Sequence, residues 1–276
     1  MSLVLRSAAF TDIGLGRANN EDSACAGPRL AVVADGIGGM PAGEQASAVV
    51  VRQLALLDPR AIAAQPLPDS TPAHGHRVPP PPPSSEPTLV LPVRTALAES
   101  DDPVAALRDA VATANRTIRE LIDTDENTEA MGTTVTALLL AHDQVALLHV
   151  GDSRAYLLHG GVFEQVTRDD TYVQTLVDEG LISASQARTH PRRSVVMQAV
   201  QGLGYEPTCS LRTAAPGDRY LLCSDGLTDV VADESIHQAL EMEPDPGHCA
   251  HMLVRLALQA GAPDNVTVVV ADVVSP

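Results

Sequence analysis

The chain has 276 residues, of which 45% are hydrophobic and only 2% aromatic, and its formal net charge is -17. That length can bury a full core, while so acidic a balance excludes a nucleic-acid binder, which needs a basic surface to displace counterions from phosphates. The apolar runs are too short to cross a bilayer, the opening Met-Ser-Leu-Val-Leu-Arg carries no export signal, and Cys25, Cys209, Cys223 and Cys249 show no Cys-x-x-Cys pairing, so a cytoplasmic protein with reduced thiols and no membrane partner is expected.

In chain order, residues 30–34 read as a short apolar strand running into the glycine-rich turn at Asp35-Gly36-Ile37-Gly38-Gly39. Residues 41–57 carry Ala46, Val49, Val50, Leu54 and Leu57 at helical spacing. From about 59 to 102 prolines replace any apolar period, which predicts a solvated insertion within one domain spanning 1–276. Asp102 can cap a helix opening at Pro103 and carrying Leu107, Val111, Ala114, Ile118 and Leu121 on one face. Runs at 135–141, 145–150 and 155–159, separated by short turns, predict an antiparallel meander with Asp152 on a hairpin turn. Helical patterns within 167–187, with Ser183 as a cap, predict a small flap over about 167–190. A strand at 220–223, helices at 234–242 and 246–259, and a closing strand at 266–274 complete the pattern. Meanders mixed with long helices, without strict alternation, predict an α+β fold.

Asp35, Asp152, Asp225 and Asp264 each sit in a short turn motif beside an apolar run, so their carboxylates should meet at strand ends. Convergent carboxylates repel at neutral pH, and hard divalent cations, which prefer oxygen ligands and retain water, relieve that repulsion. Taken singly, an Asp before Gly is more often a turn residue bonded to its own backbone. Two further patterns lack the surroundings their chemistry needs. Cys249 and Arg255 have the spacing of a thiolate phosphatase, but the residues between them form a glycine-free helical stretch with no loop of backbone donors. Residues 30–43 imitate a dinucleotide-binding start, but Pro41 occupies the place of the third glycine, which argues against a nucleotide-dependent oxidoreductase.

Arg17-Ala-Asn-Asn-Glu21-Asp22, Asp35-Gly36-Ile37-Gly38-Gly39, Gly132-Thr133-Thr134, Gly151-Asp152-Ser153-Arg154, Ser224-Asp225-Gly226 and Asp264-Asn265-Val266-Thr267 together resemble, in order and spacing, the motifs of metal-dependent serine/threonine phosphatases of the protein phosphatase 2C type, the compact bacterial members in particular. The resemblance spans nearly the whole chain outside the proline-rich insertion. It implies two packed antiparallel β-sheets flanked by helices in a four-layer α-β-β-α sandwich. It also implies a binuclear centre of Mn2+ or Mg2+, with two ions per chain and a third in some arrangements. Asp35, the Gly36 carbonyl, Asp225 and Asp264 would hold the pair, Asp152 with Asp225 the third ion, Glu21 and Asp22 would orient metal-bound waters, and Arg17 would clamp the phosphate. Thr134 is expected to support the site and Asn265 to bond backbone beside Asp264. Asp152 has the alternative of simply stabilising its turn, and Arg17 that of an ion pair with Glu21.

Family members with a histidine after the first Asp-Gly have a proton donor there; this chain has Ile37. His190, at the end of the flap, either takes that role or packs, a metal-bound water being the favoured donor by the resemblance, and Asp170 stands where many relatives carry histidine. The activity the resemblance implies is hydrolysis of phosphoserine and phosphothreonine in proteins, opposing a bacterial serine/threonine kinase, by a monomer. The reading from a different class is a non-catalytic sensor that binds metal and phosphoproteins without turnover.

Overall fold

The computed structural model of the chain describes residues 3–37, 42–67, 102–125, 128 and 131–276. Most of the proline-rich stretch, 68–101, and the glycine turn at 38–41 lie outside the described residues. In chain order the elements are β1 (Val4–Asp12), β2 (Asp22–Ala26), β3 (Leu30–Ile37), α1 (Ala42–Ala55), the two-residue strands β4 (Ile62–Ala63) and β5 (Gln65–Pro66), and α2 (Pro103–Thr124). There follow β6 (Gly132–Thr133), β7 (Val135–Ala141), β8 (Gln144–Val150), β9 (Arg154–His159), β10 (Val162–Gln165), α3 (Tyr172–Asp178) and α4 (Ala184–Arg188). The chain closes with β11 (Thr208–Thr213), β12 (Arg219–Cys223), α5 (Asp225–Thr228), α6 (Asp233–Met242), α7 (Pro246–Gln259) and β13 (Val266–Val274).

Two sheets form. One runs β10-β9-β12-β13-β1-β5 and the other β11-β8-β7-β3-β2-β4, with β6 pairing on the end of β3. Every pairing is antiparallel except the short one between β1 and β5. Three apolar layers hold the stack together. Alternation along β3 sends Ala31 and Val33 to the face between the sheets, against Leu138, Leu222 and Val269, and sends Leu30, Val32 and Ala34 to the other face, against Val50 and Leu54 of α1 and Leu107, Val111 and Ile118 of α2. On the far side Leu253, Val254 and Ala257 of α7 and Ile236 of α6 cover Leu221, Val268 and Val270. The result is the four-layer α-β-β-α sandwich. Strands buried on both faces, such as Val135–Ala141 and Val266–Val274, are almost wholly apolar for that reason.

The helix α2 begins as its residues dictate: Asp102 Oδ1 accepts from the amides of Val104 and Ala105, and Pro103 fills the first turn, where no amide donor is needed. The expected meander is corrected. β7 and β8 form a hairpin, but β9 leaves for the other sheet, where it pairs with β10 and β12. The Gly151–Ser153 link is therefore a crossover between sheets and not a hairpin turn. A hairpin tip would face solvent, whereas Ser153 is fully buried and its carbonyl accepts from the Thr136 hydroxyl at 2.9 Å. The strand carrying Asp35 likewise runs further than expected, to Ile37, because β6 pairs with Gly36 and Ile37.

Candidate active site

The two sheets deliver their acids to one end of the sandwich. Asp22 opens β2 directly opposite Asp35 in β3. Asp225 is the first residue of α5, separated from the end of β12 by Ser224 alone. Asp264 lies two residues before the start of β13, and the Ser224 amide donates to Thr267 O at 3.0 Å, which ties the ends of β12 and β13 together. Asp152 arrives on the crossover from β8. There Gly151 has φ 107°, and a Cβ would stand 2.6 Å from Thr134 Cγ2, so only glycine lets the crossover lie against Thr134. The Thr134 hydroxyl in turn accepts from the Asp35 amide at 3.1 Å and lies 2.8 Å from Ser153 Oγ, linking the Asp35 and Asp152 backbones. Thr134 thus supports the site, as expected.

Burial and like charge act on these groups together. Burial pushes the Asp35 carboxyl well above the usual range, and the charges of Asp22, Asp225, Asp152 and Asp264 push it further. Asp225 is raised in the same way, by burial and then by Asp152, Asp229, Asp264 and Asp22. Asp152 is raised to about 7 by burial and by Asp169. Asp22 is raised to about 6 by burial, opposed by the hydroxyls of Thr267 and Ser224, the latter donating to Oδ2 at 2.8 Å. Its Oδ1 is buried without a hydrogen-bonding partner. Buried like charges are costly unless a cation or proton joins them, and an all-oxygen donor set suits magnesium or manganese. The donor chemistry therefore fits such ions, although among the described residues no three acid, histidine or cysteine side chains are gathered closely enough to hold one as they stand.

The loop between β1 and β2 is held by Asn265. Its Oδ1 accepts from the Glu21 amide at 2.9 Å, and its Nδ2 donates to the carbonyls of Ile13 and Asn19 at 2.9 Å each. Asn265 is thus a backbone-bonding residue, as expected. Arg17, on that loop, pairs through Nη2 with Asp264 Oδ2 at 2.6 Å and not with Glu21. Glu21 is buried, and its carbonyl accepts from the Gly36 amide at 3.1 Å. A Cβ on Gly36 would stand 2.4 Å from Gly43 O and 2.7 Å from Glu21 O, so the backbone there is packed from both sides.

A cavity of about 470 Å3 opens beside Asp152 and Asp225, walled by Asp229, by Gln174 and Arg188 from the segment expected to be a flap, and by Arg193 just beyond it. That segment forms α3 and α4, and Ser183 caps α4 with a complete capping box. His190 does not join the cavity. Its Nδ1 accepts from the Arg192 amide at 3.1 Å, and its ring lies 6.1 Å from that of Tyr172, so a local turn and ring packing occupy it. Asp229 and Asp169 are acids near the site that no motif announced. Ser224 lay inside a motif, but its bond to Asp22 depends on strand pairing 202 residues away in sequence.

The thiolate and nucleotide-binding patterns are settled by geometry. Cys249 is buried in α7, its thiol pushed up to about 11 by burial, so it supplies no accessible thiolate. The strand that imitated a nucleotide-binding start is antiparallel to both neighbours, where a doubly wound fold needs parallel ones.

This fold and site define a class: the chain belongs to the protein phosphatase 2C family, whose model matches residues 18–252. It is 47% identical over 274 residues to serine/threonine protein phosphatase PstP of Mycobacterium tuberculosis strain H37Rv, covering 99% of this chain and 46% of that protein. It is 30% identical to serine/threonine phosphatase stp of Listeria monocytogenes serovar 1/2a, covering 95% of this chain and 93% of that one. Among solved structures, the catalytic domain of PstP in complex with two manganese ions is 45% identical, with TM-score 0.80, over 99% of this chain and 100% of that one. The chain spans about half the length of the mycobacterial relatives it matches.

Proposed function

We propose that this chain hydrolyses phosphoserine and phosphothreonine monoesters in proteins, using two Mn2+ or Mg2+ ions, and so opposes a bacterial serine/threonine kinase. The observation that carries this reading is the convergence of Asp35, Asp152, Asp225 and Asp264, from four separate stretches of chain, within mutual electrostatic reach at one end of the sandwich. Family membership and the manganese-bound relative support it.

In this reading Asp35, the Gly36 carbonyl, Asp225 and Asp264 would hold the ion pair, and Asp152 with Asp225 would hold a third ion. When bound, such ions supply a nucleophilic water at neutral pH and offset charge on the phosphate. Asp22 and Glu21 fix the orientation of the groups around them: Asp22 is itself held by Ser224, and Glu21 by Asn265. Arg17, with its side chain 43% exposed at the rim, offers a planar pair of donors to the phosphate. Residues 167–190 cover the cavity as a flap. With His190 Nδ1 engaged in its own turn and the ring outside the cavity lining, the proton for the leaving group would come from water.

Among the described residues no helix is long and apolar enough to cross a membrane. The four free thiols, three of them buried, suit a reducing compartment, and we assign the protein to the cytoplasm as a monomeric single domain. The test is hydrolysis of p-nitrophenyl phosphate with and without manganese. Turnover that requires the metal is the expected result; metal binding without turnover would identify the non-catalytic sensor instead.

A further inference from the structure

Two residues outside the proposed metal and phosphate machinery tie the flap segment to the crossover that carries Asp152. Asp170 exchanges two bonds with Gly151: its amide donates to Gly151 O at 2.7 Å, and its Oδ2 accepts from the Gly151 amide at 3.0 Å. The Asp170 carbonyl accepts from the Met197 amide at 2.7 Å, so the same residue also grips the returning strand of the segment. The neighbouring bridge of Thr171 with Val196 and the bond from the Tyr172 amide to Val195 O complete a two-stranded root.

Behind this root lies His149, 1% exposed. Its Nε2 is 3.1 Å from Arg168 O, and its Nδ1 is 2.9 Å from the Thr136 hydroxyl, which itself donates to Ser153 O. The imidazole thus joins the sheet, the far side of the Asp152 crossover and the entry to the segment. Between Arg168 and Asp170 stands Asp169, which Arg154 binds through Nε and Nη2 and whose charge is the strongest acting on Asp152. Any shift of the root therefore moves a charge against Asp152.

We propose that His149 and Asp170 are positioning residues that form a clip, fixing the root of the 167–190 segment to the Asp152 crossover, so that the segment's order and the readiness of Asp152 to take a cation are coupled. The inference about metal readiness rests on the proposed function; the clip itself does not. Coupling of this kind is reciprocal, so whatever binds at Asp152 should also quiet the root.

The test is hydrogen exchange read by mass spectrometry on the intact chain, as wild type, Asp170→Ala and Asp170→Asn, metal-free and with manganese. Asp170 is on a partly exposed segment, so the alanine variant is expected to fold. In metal-free Asp170→Ala, peptides covering Gly151 and 171–174 should exchange about tenfold faster than in wild type, as expected for loss of a local hydrogen bond. Asp170→Asn, which keeps an oxygen acceptor, should restore slow exchange. The manganese concentration for half-maximal turnover should rise about tenfold in Asp170→Ala while turnover at saturation stays within about twofold. His149→Phe should change exchange in the same direction. Wild-type exchange in Asp170→Ala, or exchange in Asp170→Asn as fast as in alanine, would overturn the clip; an unchanged manganese titration would overturn the coupling. A wild type that never turns over would sink the proposed function and leave the exchange result standing.

Discussion

At the level of single residues, the site is a set of acids that destabilise the protein when they ionise without a partner. Asp152 shows the sign. Its folded value, about 7, lies above the ordinary 3.8, so the native state holds the proton more tightly than the unfolded chain. The penalty for ionising it is absent below the ordinary value, grows as pH rises, and is complete above about 7. Asp22, raised to about 6, adds to it over a narrower window. The metal-free protein should therefore lose stability between pH 4 and pH 7, and Asp152→Asn should melt above wild type near pH 8 but level with it near pH 4, in thermal melts with a chelator present. Manganese should reverse the order at pH 8, because it binds the folded wild type. Replacing Asp35 or Asp225 with Ala should abolish turnover while the circular dichroism spectrum stays native; substantial residual turnover in either variant would contradict their roles. Asp22→Ala should cost about 10- to 100-fold in activity, the usual scale for a group that orients ligands.

At the level of elements, legibility followed from how local each signal was. The helices at 103–124 and 246–259 were readable because cap, proline and apolar stripe all lie within the segment itself. The first two strands were not. Val4–Asp12 and Asp22–Ala26 mix apolar and polar residues without strict alternation, and their strand character comes from pairing, with β13 at the far end of the chain and with the neighbouring β3. The crossover at Gly151 was misread for a related reason: a short turn between two strand-like runs looks the same whether the second strand folds back or changes sheet. Only the buried surroundings of Ser153 decide between them. Gly151→Ala should destabilise the fold by about 1–3 kcal/mol through φ strain and contact with Thr134, measured by chemical denaturation. A variant as stable as wild type would show that the crossover tolerates a side chain.

At the level of the whole molecule, the motif acids were legible as a set because their turns punctuate the sequence at strand ends, and the sandwich brings those ends together. What the sequence withheld were partners made only by that assembly: Arg17 with Asp264, Ser224 with Asp22, and Asp229 beside Asp225. The same assembly explains why so acidic a chain tolerates buried carboxylates. Repulsion concentrated at one end of the stack costs stability there, while the three apolar layers supply cohesion elsewhere. Anomalous diffraction from crystals grown with manganese would locate the cations. Two manganese peaks bounded by Asp35, Asp225 and Asp264 are expected; peaks elsewhere on the surface, with those carboxylates making no contact to metal, would rule out a binuclear centre here.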